Sequence, residues 1–253
     1  MQLKDKVVVV TGGARGIGRA IAAAFAERGA RVAIVDLDPA DLATAQADFS
    51  RAGVEVGTYA ANVAREEQVI AALDAVVADF GRLDVMVNNA GIIKDGLLIK
   101  AKDGVVTGKM GLEQWQAVID VNLTGVFLCG REAAERMIGL GQGGLIINIS
   151  SISKCGNAGQ TNYSAAKAGV TAMAVVWAKE LARYGIRAAS IAPGFTRTDL
   201  LAGMPPEMLD KVTAPVPLKR LALPEEIAHT AVYIAENDYF TGRAIDVDGG
   251  LRL

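Results

Sequence analysis

Residues 7–20 read VVVVTGGARGIGRA: four valines, a threonine, then glycines at 12, 13, 16 and 18 ahead of an alanine-rich stretch. An apolar run with no polar alternation is what a strand covered on both faces requires, and such strands belong to parallel sheets. The stretch from Arg19 to Arg28 has helical spacing, so Gly12, Gly16 and Gly18, with Arg15 and Ile17 between them, fall on a strand-to-helix turn. Glycine there lets backbone N–H groups approach a pyrophosphate, while the helix N-terminus favours negative charge. A tight turn alone would use the same glycines, but the strand before and the helix after favour a bound dinucleotide.

The same alternation continues along the chain. Apolar runs at Val7–Val10, Arg31–Val35, Val54–Ala60, Val85–Val87, Leu145–Ile149, Ala188–Ala192 and Ala244–Val247 read as strands. Between them, Arg19–Arg28, Asp41–Ala52, Glu66–Phe80, Leu112–Ile138, Asn162–Tyr184 and Glu225–Ala235 read as helices. Right-handed crossovers place helices on both faces of the sheet. The expectation is one α/β domain over 1–253: a doubly wound parallel sheet of the Rossmann type, about seven strands wide. Ile92–Gly111 and Gly194–Leu223 lack a period and read as long loops on the substrate side.

Composition narrows the function. The 253 residues are 51% hydrophobic and 21% charged, ordinary for a globular chain able to bury about three quarters of its unfolded surface. A net charge of −2 gives no field that would attract nucleic acid or an acidic membrane. The start, MQLKDKVVVVTGG, lacks the long apolar segment of a signal peptide, and a cytoplasmic, reduced protein is expected. Cys129 and Cys155 have no CxxC spacing, and a single histidine leaves no cluster for zinc, so no metal is expected. That histidine, His229, sits in a helical pattern, and no GxSxG elbow exists to serve a hydrolytic triad.

Asp36 closes the second strand eighteen residues past Gly18, where a carboxylate accepts hydrogen bonds from the adenosine ribose and repels a 2′-phosphate. This favours NAD over NADP, with Arg15 pulling weakly the other way; capping of the next turn is the structural alternative for Asp36. Tyr163-Ser164-Ala165-Ala166-Lys167 lies in a helical stretch, and the i, i+4 spacing puts phenol and ammonium on one face. A nearby cation lowers a phenol towards neutrality and makes it a usable acid or base. Ser150 ends a buried strand thirteen residues earlier, where its hydroxyl can polarise a carbonyl; Ser151 is the alternative. Cys155 lacks a base and is expected to line the pocket rather than attack.

At these motifs the chain resembles the short-chain dehydrogenase/reductase family over nearly its whole length. TGGARGIG is similar to the family's TGxxxGxG loop, NNAG at Asn88–Gly91 to its strand end, and YSAAK to its YxxxK; Asn122 in VNLTG, Pro193-Gly194 with Thr198, and TGRAIDVDGG are further landmarks. The resemblance implies that Tyr163 exchanges a proton with the substrate oxygen and Ser150 hydrogen-bonds it. Lys167 would lower the phenol and hold the nicotinamide ribose, and Asn122 would anchor a water relay to Lys167. Asn62-Val63 stands where the family has an Asp-Val that contacts adenine, and asparagine keeps an acceptor oxygen for it. Asn89, Ala90, Gly91, Pro193, Gly194, Thr196 and Thr198 complete the implied cofactor contacts, and Asn88 serves either these or the join between two strand ends. Members are often homotetramers, and that assembly is expected here.

The nearest resemblance is to 3-oxoacyl-carrier-protein reductases. That branch usually takes NADPH and grips its carrier with two arginines, which here are Gly141 and Tyr184, with Arg183 and Arg187 as nearby substitutes. Together with Asp36, this directs the sequence reading to an NAD-linked dehydrogenase of a small or medium, largely apolar secondary alcohol or ketone. Reduction of a 3-oxoacyl thioester is the alternative, and a non-catalytic NAD sensor a distant one.

Overall fold

The computed structural model describes residues 1–198 and 205–252. Strand and helix alternate through β1 (Val7–Thr11), α1 (Gly16–Ala26), β2 (Arg31–Asp36), α2 (Pro39–Arg51), β3 (Val56–Ala60), α3 (Glu66–Phe80) and β4 (Val85–Asn88). There follow β5 (Ile99–Lys102), β6 (Val105–Lys109), α4 (Leu112–Ile119), α5 (Gly125–Leu140), β7 (Gly144–Ile149), α6 (Thr161–Glu180) and β8 (Ile186–Pro193). The described chain ends with α7 (Pro206–Thr213), α8 (Pro224–Glu236) and β9 (Ala244–Val247).

Seven strands form one parallel sheet in the order β3-β2-β1-β4-β7-β8-β9. Strand order reverses between β1 and β4, and the crevice beyond their carboxyl ends is where doubly wound sheets take ligands. Pleating sorts the apolar runs between two cores. Val8 and Val10 pack with Ile21 and Phe25 of α1 and with Ile227 and Ala231 of α8. Val7 and Val9 turn the other way, towards Val69 and Leu73 of α3 and Ala133 and Met137 of α5. The valines of β1 alternate between two apolar layers, which is why its sequence shows no polar alternation.

Three expectations change in detail. The stretch Ile92–Gly111 is not a plain loop: β5 and β6 pair as an antiparallel hairpin. Asp103 (φ 50°) and Gly104 (φ 76°) both occupy the left-handed region, the requirement of a two-residue hairpin turn and the reason Asp-Gly favours one. Gly194–Leu223 contains α7, and residues 199–204 of that stretch lie outside the described residues. The helix expected over Leu112–Ile138 is interrupted by a π-helical turn at Asp120–Thr124, where Gly125 N–H bonds Asp120 O. Such single turns often mark functional sites, and this one carries Asn122.

At the opposite end of the sheet, Asp84 is buried and accepts from Arg82 Nε and Nη2 (both 2.6 Å), Lys6 Nζ (3.1 Å) and Val7 N (2.9 Å). Burial pushes its carboxyl up, but these donors together hold it below the ordinary value. Asp84→Ala leaves two cations and an amide without their partner, and should cost about 3 kcal/mol in chemical denaturation at pH 7. A depressed carboxyl stabilises above its unfolded value and ceases to do so as pH falls through the folded one. The difference from the parent protein should therefore shrink below about pH 4.

Candidate active site

The glycine loop is shaped by close approach. At Gly18 a Cβ would stand 2.1 Å from Gly12 O, and at Gly12 (φ 60°) it would stand 2.9 Å from Ala90 Cα. Arg15 is the N-cap of α1, and no side chain caps that end, so its first N–H groups stay open to an anion. Arg15 itself pairs with Asp41 (3.1 Å), which occupies the cation expected to greet a 2′-phosphate. Ile17 packs against the α1 core. The Thr198 methyl lies 3.5 Å from where a Gly16 Cβ would be, so the segment after β8 reaches the start of α1.

Thr11 joins the loop to the end of β4. Asn89 N (3.0 Å) and Ala90 N (3.1 Å) donate to Thr11 Oγ1, and Asn89 Nδ2 donates to the carbonyls of Thr11 (3.0 Å) and Gly12 (2.9 Å). Asn88 points into the protein and donates to Asn148 Oδ1 (2.9 Å), so it ties β4 to β7. Asp36 Oδ1 accepts from Leu37 N (2.8 Å) and Oδ2 from Ala14 N (3.1 Å). It both caps its own strand end and braces the glycine loop. Asn62 Oδ1 accepts from Ala64 N (3.0 Å), and Val63 is buried against Gly125. Gly194 N donates to Val247 O (2.8 Å), and Thr196 Oγ1 donates to Gly194 O (3.2 Å), shaping the turn after Pro193.

Asn122 is fully buried and clamps one residue, Ile92, by accepting from its N–H (2.8 Å) and donating to its C=O (2.9 Å). The Asn122 Oδ1 lies 3.4 Å from where a Gly91 Cβ would be. Lys167 is also buried and donates to Ile149 O (2.7 Å), with its Nζ 5.5 Å from the centre of the Tyr163 ring. Burial pushes the ammonium down to about 8.

The serine that meets the phenol is Ser151, not Ser150. Ser150 is 2% exposed; its hydroxyl donates to Lys167 O (2.8 Å) and lies 2.7 Å from Thr171 Oγ1. Ser151 is half-buried and its hydroxyl is the one that bears on the Tyr163 phenol, lowering it; its Oγ accepts from Ser153 N (3.1 Å). Strand alternation is the cause: Asn148 and Ser150 share a face, and both bond carbonyls of α6, Val170 O and Lys167 O. A hydroxyl aimed at the crevice has to come from the next residue. The Ser-Ser pair carried that signal, since the residue in phase with Asn148 is the one turned to the helix.

The phenol behaves differently from the sequence expectation as well. Burial raises it, the Ser151 hydrogen bond lowers it, and the Asp95 carboxylate raises it again. Asp95, which motif reading passed over, is fixed by Gln160 Nε2 at 3.1 and 3.0 Å from its two oxygens. Of the substitutes for carrier-binding arginines, Arg187 is spent on the carbonyls of Ile234, Phe240 and Ala235 at 2.9 Å each. Arg183 stacks on Tyr184 at 4.8 Å, and Gly141 caps α5 in the left-handed conformation. Among the described residues, no group of three His, Cys, Asp or Glu side chains is placed to hold a metal ion.

An open helix N-terminus at the switch point, a cradle without room for a Cβ, and a phenol–ammonium pair beside it define a nicotinamide-dependent oxidoreductase. A family model described as enoyl-(acyl carrier protein) reductase matches residues 12–252. A 3-oxoacyl-[acyl-carrier-protein] reductase, FabG, of Thermotoga maritima is 40% identical over 99% of both chains. A 3-oxoacyl-[acyl-carrier-protein] reductase of Synechocystis is 41% identical over 98% of both. A crystal structure from Agrobacterium tumefaciens, assigned provisionally as a gluconate dehydrogenase, has a TM-score of 0.89 at 38% identity and covers 99% of this chain and 97% of that one. The chain belongs to the short-chain dehydrogenase/reductase family, whose chemistry interconverts CH–OH and ketone with a nicotinamide cofactor.

The depressed ammonium has a measurable consequence. The unfolded chain keeps the Lys167 proton to about pH 10.4, the folded one only to about 8, so stability rises with pH between these values. Lys167→Met removes that titration. Measured without cofactor, the Tm of the parent should rise relative to this variant between about pH 8 and pH 10 and change little relative to it below pH 8.

Proposed function

We propose that the protein reduces the 3-oxo group of an acyl thioester to the 3-hydroxy compound, with NADH as reductant. The observation that carries the chemistry is the buried Lys167 ammonium 5.5 Å from the centre of the Tyr163 ring, with the Ser151 hydroxyl bearing on the same phenol. A bound nicotinamide supplies the hydride to the carbonyl carbon. The chain's own part is to hold and protonate the oxygen: Ser151 donates a hydrogen bond to it, and Tyr163 delivers its proton to it as the C–O bond becomes an alcohol. The raised phenol suits this direction, since it stays protonated at neutral pH. Lys167 offsets the charge left on the phenolate until a proton returns.

For the cofactor, the roles proposed are pyrophosphate on the α1 N-terminus within Gly12–Gly18, adenosine ribose on Asp36, and adenine beside Asn62 and Val63. Asn89, Ala90, Gly91, Pro193, Gly194, Thr196 and Thr198 would line the remainder, with Lys167 on the nicotinamide ribose. Asn122, by clamping Ile92, would set the height of the strand end beneath it. The segments 92–111 and 194–223 would border the substrate, and a homotetramer in the cytoplasm is the assembly proposed.

The thioester is favoured over the simple secondary alcohol by the relatives, each about 40% identical end to end and named for 3-oxoacyl carriers. The second reading, NAD-linked oxidation of a small apolar alcohol, is favoured by Gly141 and Tyr184 standing where the carrier-binding arginines would be, and by the sequestered Arg187. The pairing of Asp36 with Ala14 N and of Arg15 with Asp41 supports NADH in either case.

Following the absorbance of reduced nicotinamide with acetoacetyl thioesters, simple ketones and secondary alcohols, each with both cofactors, tests the assignment. The expected result is thioester reduction with NADH at the highest kcat/KM; turnover of simple alcohols alone would establish the second reading. Within the site, Ser151→Ala should lower kcat about a hundredfold or more and Tyr163→Phe should remove nearly all turnover while keeping cofactor binding. Ser150→Ala should instead act on stability, by about 1–2 kcal/mol, with kcat within tenfold. The reverse ranking of the two serines would return the role to Ser150.

A further inference from the structure

Asp95 is a charge without a part in the reaction as described so far. It lies in the segment leading from β4, which is stitched to the approach to α6: Gly96 N donates to Gly159 O (2.8 Å), Gly96 bridges Gln160, and Asn162 Nδ2 donates to Lys94 O (3.0 Å). Gln160 is held from its other side, its Oε1 accepting from Ser153 Oγ (2.9 Å) and Asn157 Nδ2 (3.0 Å) while its Nε2 grips Asp95. The carboxylate is thus fixed between the turn that carries Ser151 and the helix start that carries Tyr163, three residues past Gln160. Its field reaches the phenol.

Resting on the proposed reaction, we infer that Asp95 sets substrate charge, admitting 3-oxo compounds whose C1 carbonyl is neutral, as in a thioester, and rejecting the corresponding free 3-oxo acids. In a 3-oxo acid the carboxylate is two carbons from the reacting carbonyl carbon, so with that oxygen on Ser151 and Tyr163 a free acid brings a second negative charge close to Asp95. Asp95 is exposed and the phenol half-buried, so two like charges there repel across the rim of the crevice, more than in open water and less than in the interior. A thioester at the same place carries no charge and escapes the penalty. Among the described residues, the titratable groups bearing on the phenol are Lys167 from its own helix and Asp95 from the β4 side; the turn after β7 contributes the neutral Ser151 hydroxyl. Lys167 donates to Ile149 O rather than towards the Asp95 side, so it does not cancel the repulsion.

Asp95→Asn separates charge from shape, because its amide oxygen still accepts from Gln160. With ethyl acetoacetate and acetoacetate as a matched neutral and anionic pair, the ester-to-acid ratio of kcat/KM should fall about tenfold in Asp95→Asn. Butyramide and butyrate, as dead-end inhibitors of the cofactor-loaded protein, give the same comparison without turnover. Butyrate should tighten about tenfold against butyramide in the variant. The pH midpoint for oxidation of the hydroxy ester should also move down, since a charge opposing the phenolate has gone. Ratios unchanged within twofold in both pairs would overturn the inference and leave Asp95 a structural clamp. If acetoacetyl thioesters are not reduced but the ratios still move, the thioester assignment fails and the charge filter stands; if thioesters are reduced and the ratios stay, the reverse holds.

Discussion

Three hydrogen bonds join the end of β7 to the middle of α6: Asn148 Nδ2 to Val170 O, Ser150 Oγ to Lys167 O, and Lys167 Nζ back to Ile149 O. They lie in a sheet whose other strand faces are packed almost wholly with aliphatic side chains. Hydrophobic burial would hold α6 on the sheet but would not choose its height or rotation, because apolar contact has little direction. Hydrogen bonds do choose, since leaving any of these buried groups without its partner costs about 1–3 kcal/mol. The seam therefore sets where Tyr163 and Lys167 stand relative to the crevice at the reversal of strand order.

Close packing makes that placement unique. Gly169 on α6 admits Leu123 of the π-helical turn, where a Cβ would stand 2.7 Å from its Cδ1, and Gly130 on α5 admits the Trp177 ring of α6 at 2.5 Å. The π turn lifts Asn122 against Ile92, and so couples the strand end that carries Asn89–Gly91 to the same helix. A buried ammonium, a phenol raised by burial and a fixed carboxylate then share one small region. Burial alone moves the ammonium, while the phenol answers to burial, to Ser151 and to the Asp95 charge together. The proton transfer proposed at Tyr163 and the proposed selection of substrate charge both draw on this one arrangement.

Much of the fold was legible because its signals are local. Valine runs without polar alternation stated that the strands are covered twice, and β1 shows those valines serving two cores in turn. The glycine spacing at 12, 16 and 18 stated the turn, because no Cβ fits where Gly18 meets the Gly12 carbonyl. The hairpin of β5 and β6 was also written locally, in Asp103-Gly104, but a search for long periodic runs passes over strands of four and five residues. Helix ends moved by up to four residues, α6 stopping at Glu180 rather than Tyr184, while both ends of α3 stand where the period put them.

The amino-acid sequence by itself determined the doubly wound architecture, the glycine turn between β1 and α1 and the pairing of Tyr163 with Lys167, since each rests on neighbours within a few residues along one element. Tertiary structure decided which of two adjacent serines faces the crevice, because that depends on which side of β7 the α6 carbonyls lie. It also decided that Arg187 is consumed by carbonyls near α8, that burial brings Lys167 down to about 8, and that the Asp95 charge bears on a phenol sixty-eight residues away in the chain. These are matters of distance and dielectric between segments remote in sequence. No motif encodes them, because the chain has to fold before either exists.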